Sequence, residues 1–197
     1  MKFGPITIFG IAIGAIWGAV WMIITGITLM MVSGVTTQPP VGMAALLGVL
    51  MALATFAVNQ RLTQRMAMAA LGVFAVIALA LLTALQPFGI SMSSAPAYQF
   101  AALLVFAGLM TASLYLGLQG YTGEGVSRYR FELLTLRFVK GIGFVIFTIL
   151  VVLPFYVMVM TSLKSQQSLL SNPLDFSIDV TQGASSLFRS YVELFTD

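Results

Sequence analysis

The chain has 197 residues, of which 59% are hydrophobic and only 8% charged, with a mean hydropathy of +1.02 and a formal net charge of +3. Soluble domains carry roughly 25% charged residues, so this composition excludes an ordinary soluble domain and predicts an all-α integral membrane protein. The sequence contains no cysteine and no histidine. Disulfides, thiolate nucleophiles, iron–sulfur ligation and the commonest general base and metal ligand are thereby removed, and no catalytic residue, metal or cofactor is expected. The basic balance does not imply nucleic acid, because in a bilayer protein the position of a charge matters more than the sum.

After Met1-Lys2-Phe3-Gly4-Pro5 the chain runs apolar from Ile6 to about Val32. A signal peptide has an apolar core of about 7–15 residues, so this longer run predicts a retained transmembrane helix over 6–32. Gly10, Gly14 and Gly18 recur every fourth residue and place three small residues on one face, where another backbone can approach. Packing within the chain is the favoured use of that face; contact with a partner is the alternative. Trp17 and Trp21, one turn apart well inside the run, read as packing residues before a cofactor shelf.

Ser33 to Pro40 is uncharged and carries Pro39-Pro40, which predicts a short external turn. A second span over 41–58 leads to Arg61 and Arg65, a third over 66–85 is broken by Gln86-Pro87-Phe88-Gly89, and a fourth over 99–118 leads to the glycine-rich stretch 119–126. The fifth apolar segment, 141–163, follows the basic run Arg128 to Lys140. That run reads as an interfacial elbow helix, with Arg130, Glu132 and Arg137 facing headgroups, in preference to the solvated start of the fifth helix. The domain division is a four-helix part, 1–126, and a segment 127–197 made of the basic run, the fifth helix and a polar tail.

With the N-terminus cytoplasmic, the inner segments hold Lys2, Arg61, Arg65, Arg128, Arg130, Arg137 and Lys140, and the outer ones only Lys164 and Arg189. This asymmetry predicts five transmembrane helices with the N-terminus cytoplasmic and the C-terminus on the opposite, outer side. No charged residue falls within a predicted span, which disfavours an ion-coupled transporter. Thr25, Thr28, Thr55, Thr83, Thr111, Ser113 and Thr148 are the main polar residues within spans, and their hydroxyls are expected to bond their own helix backbone. No nucleophile–base set or carboxylate pair lies at one membrane level, so an enzyme is not expected.

Pro154-Phe155-Tyr156, Thr161-Ser162-Leu163-Lys164, Asn172-Pro173 and Tyr191-Val192-Glu193-Leu194-Phe195 resemble, in order and spacing, the opening of the maltose-type inner-membrane permeases of carbohydrate ABC importers. The resemblance covers about the last third of the chain, and Ser190 stands where an asparagine is usual. It implies a first core permease helix over 141–163, family-motif residues Pro154, Phe155, Thr161, Ser162, Lys164, Tyr191, Leu194 and Phe195, and an N-terminal extension of four helices. The partners implied are a second permease, an ATPase and a periplasmic binding protein, besides membrane lipids, and the location implied is a bacterial inner membrane with the C-terminus periplasmic. The family's Glu-Ala-Ala…Gly loop, which docks on the ATPase, has no counterpart here, so these 197 residues are expected to be the N-terminal half of such a permease. The alternative is a small non-catalytic structural or accessory subunit packed within a larger membrane complex.

Overall fold

The computed structural model describes residues 5–58, 64–82, 86–91, 93, 95–119, 121 and 128–164. Their regular structure is entirely helical: α1 (Pro5–Ser33), α2 (Val41–Val58), α3 (Gln64–Leu82), α4 (Pro96–Leu118) and α5 (Arg128–Leu163). The first four follow the apolar runs closely, because the helices stop where prolines, glycines and polar clusters interrupt hydropathy. Three helices, α1, α4 and α5, are long and apolar enough to cross a membrane, and the described apolar parts of α2 and α3 are shorter.

The helix ends have local causes. Gly34 closes α1 in a left-handed conformation, φ 68°, and its N–H donates to the Met30 carbonyl at 3.0 Å; a β-carbon there would be strained. Pro39 and Pro40 then start α2, and the Thr37 hydroxyl donates to the Gly26 carbonyl at 3.1 Å, holding the linker against α1. At the same end of the molecule the Gln38 N–H donates to the Phe88 carbonyl at 3.0 Å, which joins the α1–α2 linker to the turn that precedes α4. Phe88 is fully buried. Its ring plugs the core where the helices end.

Helices α1–α4 form a bundle in which α1 touches α2 and α4, α3 touches α2 and α4, and α2 meets α4 across the middle. The α1–α2 contact is the most extensive, and the glycines explain it. Gly14 and Gly48 lie so close that a β-carbon on either would strike the other's carbonyl oxygen, Gly18 lies against the Ala44 carbonyl, and Gly10 faces the Phe56 ring. The numbering runs in opposite directions, so the helices are antiparallel. Ala44, Gly48 and Ala52 on α2 are spaced like Gly10, Gly14 and Gly18, and together they form a seam of small residues. In an apolar solvent this close packing, rather than hydrophobic burial, is what holds two helices together.

Helix α5 differs from the expected arrangement. Arg128 to Lys140 and the apolar segment from Gly141 form one continuous helix, so the basic run is the first part of α5 and not a separate elbow. Gly141 and Gly143 do not break it, since single glycines cost a helix only about 1 kcal/mol each. Pro154 also lies within the helix; it removes one backbone donor without ending it, as helices in apolar surroundings allow.

The first half of α5 runs parallel to α1. Phe9 meets Phe131 at 4.8 Å between ring centroids, and Trp17 meets Phe138 edge-on at 6.1 Å. Leu134 is fully buried, and Phe138, Ile142 and Val145 pack against the core. Beyond Val145 no described α5 residue joins that core, and Phe147 and Leu150 are 66% and 68% exposed. The pairings also set the vertical register. The middle of α5's apolar segment lies level with the C-terminal end of α1, roughly 16 Å beyond the middle of α1's own apolar run at 1.5 Å per residue.

Candidate functional site

Where α5 parts from the bundle it leaves a groove of about 710 Å³ between α1, α4 and α5. Trp17, Trp21 and Ile24 on α1 form the floor. Leu109, Ser113 and Leu116 on α4 form one wall, Val145, Thr148 and Ile149 on α5 the other, and Arg137 and Lys140 stand at one end. Helical periodicity produces this arrangement: Trp17, Trp21 and Ile24 recur at spacings of four and three, as do Gly141, Val145 and Thr148, so each set lies on one face.

The two tryptophans stack at 5.5 Å with 12° between their planes. Trp17 comes directly against α5 at Gly141, where a β-carbon would lie 2.9 Å from Cζ2 of the indole. Trp21 Nε1 donates to the Ser113 hydroxyl oxygen at 2.8 Å, which satisfies the one indole donor facing this wall and leaves the lining apolar. The remaining polar atom along the α5 wall, the Thr148 hydroxyl, donates to its own helix at the Phe144 carbonyl at 2.8 Å.

The charged end is ordered. Arg137 Nη1 donates to the Gln119 carbonyl at 3.2 Å, just past the end of α4, and its guanidinium lies 5.8 Å from the Tyr121 ring centroid. A cation at a helix C-terminus complements the carbonyls that have no intrahelical donor. Tyr121 in turn donates its hydroxyl to the Arg130 carbonyl at 3.0 Å, so the segment after α4 is tied to α5 twice. Among the described residues no carboxylate lines the groove. Glu132 pairs with Arg128 at 3.0 Å, a side-chain pair on the exposed face of α5.

The candidate residues from the sequence therefore separate. Arg137 and Lys140 reach the groove, whereas Gly10, Gly14 and Gly18 belong to the α1–α2 seam. Arg128 and Arg130 are exposed on the first turn of α5, and Arg65 stands in the first turn of α3. Pro154 and Phe155 lie on the uncovered half of α5, where Thr161 and Ser162 hydroxyls donate to the Val157 and Val159 carbonyls at 2.9 and 2.7 Å, and Lys164 follows the helix. Lys2, Arg61, Tyr191, Leu194 and Phe195 lie outside the described residues, as does Thr83. Thr25, Thr28 and Thr55 donate to carbonyls of their own helices at 2.7, 2.8 and 2.7 Å. Thr111 departs from that pattern: its buried hydroxyl oxygen faces Gly72 with no hydrogen-bond partner.

The groove itself was not visible in the sequence, although Gly141 and the Trp21–Ser113 bond are its supports; of the residues that sequence reasoning missed, Ala44, Gly48 and Ala52 belong to the α1–α2 seam. Only these three carry a local signal, the small-xxx-small pattern. Among the described residues no cluster of three or more His, Cys, Asp or Glu is placed to hold a metal ion. The arrangement suits binding of an elongated apolar group with an anionic end. No family model, curated protein or solved structure matches the chain.

Proposed function

We propose that this chain is a membrane component of a larger assembly, specifically the front part of a permease of a carbohydrate ABC importer in a bacterial inner membrane. Helices α1–α4 serve as an N-terminal extension and α5 as the first core helix. The observation that carries this reading is α5. It is anchored through its first half, exposes apolar side chains around most of its second half, and carries Pro154-Phe155 and Thr161-Ser162-Leu163-Lys164 in the order that such permeases use. A helix of this kind is completed by neighbouring helices, and in the permease reading those belong to the rest of the transport core. A second permease, an ATPase and a periplasmic binding protein are the partners; the chain itself does no chemistry.

In this reading the chain crosses five times with its N-terminus in the cytoplasm. A hydrocarbon layer about 30 Å thick serves both the bundle and α5 when Arg137 and Lys140 lie just within its inner edge. Their long stems then carry the charges to the headgroups. That placement explains why Arg137 extends toward the end of α4 at Gln119 and not toward the groove's apolar floor.

The accessory-subunit reading is favoured by one feature, the α1–α2 seam, in which Gly10, Gly14 and Gly18 are all spent on packing within the chain. Purification from native membranes in mild detergent, followed by mass spectrometry of the partners, separates the two. Recovery with an ATPase and a second permease is the expected outcome. Recovery with a different complex, and no ATPase, makes the chain an accessory subunit.

A further inference from the structure

The groove between α1, α4 and α5 has a built occupant shape: an apolar trough closed by two cations. We infer that it binds an anionic phospholipid of the inner leaflet, one acyl chain lying over Trp17 and Trp21 and the headgroup phosphate meeting Arg137 and Lys140. The inference rests on the membrane placement above and is independent of whether the assembly is a transporter.

Three observations select this ligand. Among the described residues the lining holds Arg137 and Lys140 and no carboxylate, and Glu132 is engaged by Arg128, so the described end of the groove carries positive charge. Arg137 is fixed by the Gln119 carbonyl and the Tyr121 ring; a guanidinium has five N–H donors, so this contact leaves others for phosphate oxygens. Trp21 has already given its N–H to Ser113, so the body of the groove asks for hydrocarbon and not for a polar ligand. Basic pockets between membrane helices on the cytoplasmic side are where anionic headgroups bind. A neighbouring apolar helix would fill the trough but bring no negative charge, leaving two cations to be desolvated unpaired.

Trp17 and Trp21 are the only tryptophans in the chain, and both line the groove. Their fluorescence therefore reports its occupancy. The protein is reconstituted in phosphatidylcholine vesicles containing a minor fraction of either phosphatidylglycerol or phosphatidylcholine with brominated acyl chains. Brominated phosphatidylglycerol is expected to quench at about thirtyfold lower mole fraction than brominated phosphatidylcholine, which is roughly what two basic side chains near a membrane surface supply. The double variant Arg137→Gln/Lys140→Gln should abolish the preference. Lys140→Gln alone, which leaves the Arg137 contacts in place, should lower it several-fold even if the double variant does not fold. Arg130→Gln, which leaves the Arg128–Glu132 pair intact, should leave it unchanged.

Equal quenching by the two lipids overturns the inference, as does a preference that survives Lys140→Gln. A preference lost equally in the Arg130→Gln variant overturns it too, because the attraction would then be a diffuse property of the basic run. Absence of quenching by either lipid overturns it by showing that protein, a second copy or another helix, fills the groove.

Discussion

Gly48→Leu is expected to abolish the folded bundle, while Gly108→Leu leaves it standing. The difference follows from what each new side chain meets. A β-carbon at position 48 runs into the Gly14 carbonyl and approaches Cε of Met110 at 3.0 Å, whereas one at position 108 meets nothing within 4 Å. The first obstruction is backbone, which cannot rotate away, so α1 and α2 must separate along the whole seam. Overpacking a core typically costs about 1–3 kcal/mol. Here the seam through Gly14, Gly18 and Ala44 is lost as well, and the total becomes comparable with the roughly 5–15 kcal/mol stability of a whole domain. Size-exclusion of detergent-solubilised protein on heating reads the result: aggregation of Gly48→Leu near ambient temperature, against a wild-type-like transition for Gly108→Leu. A normal profile for Gly48→Leu would mean that α1 and α2 do not meet through their glycines.

Labelling with a membrane-impermeant maleimide is expected to divide the two ends of the bundle completely. The protein has no cysteine, so single substitutions report cleanly. Thr36, in the linker after α1, and Arg128, at the start of α5, are both exposed. Between them lie three helices, α2, α3 and α4, and the α1–α2 linker is uncharged whereas the start of α5 is basic. Under the proposed orientation Thr36→Cys reacts in intact spheroplasts, and Arg128→Cys only after permeabilisation, because basic residues beside a span resist translocation. Val145→Cys, in the apolar half of α5, should react in neither state. Reaction of Thr36→Cys and Arg128→Cys from the same side would remove the five-crossing assignment.

How much of this was legible in the sequence depends on the range of the cause. Helices α1–α4 were legible because hydropathy and the Pro/Gly breaks at Pro39-Pro40 and Gln86-Pro87-Phe88-Gly89 are local. Helix α5 was legible as an apolar segment but not as a single helix with the basic run, because nothing at Lys140-Gly141 marks whether a helix bends at an interface or continues. The seam was half visible. Gly10, Gly14 and Gly18 announced a close contact, but their partner was set by antiparallel register, which places Gly48 opposite Gly14. The groove was not visible at all. It exists because α5 packs through Leu134 to Val145 and then leaves the core, and no sequence period records where two helices part. The stacked tryptophans read correctly as packing residues; that their exposed side also floors a groove depends on Gly141 and Ser113, which are more than ninety positions away.

The uncovered half of α5 is expected to pack against further protein helices, from the rest of the permease or from another subunit. Phe147 and Leu150 point away from the groove and are among the most exposed apolar side chains of the protein, while Leu46 on α2 is an exposed apolar residue of the closed bundle, at 59%. A photoreactive amino acid placed in turn at positions 147, 150 and 46, and irradiated in native membranes, tests that claim most directly. Crosslinks to protein, within a longer permease chain or to a second subunit, are expected from positions 147 and 150 and none from position 46. Lipid adducts alone at all three positions would contradict it and leave α5 as a helix that faces only the bilayer.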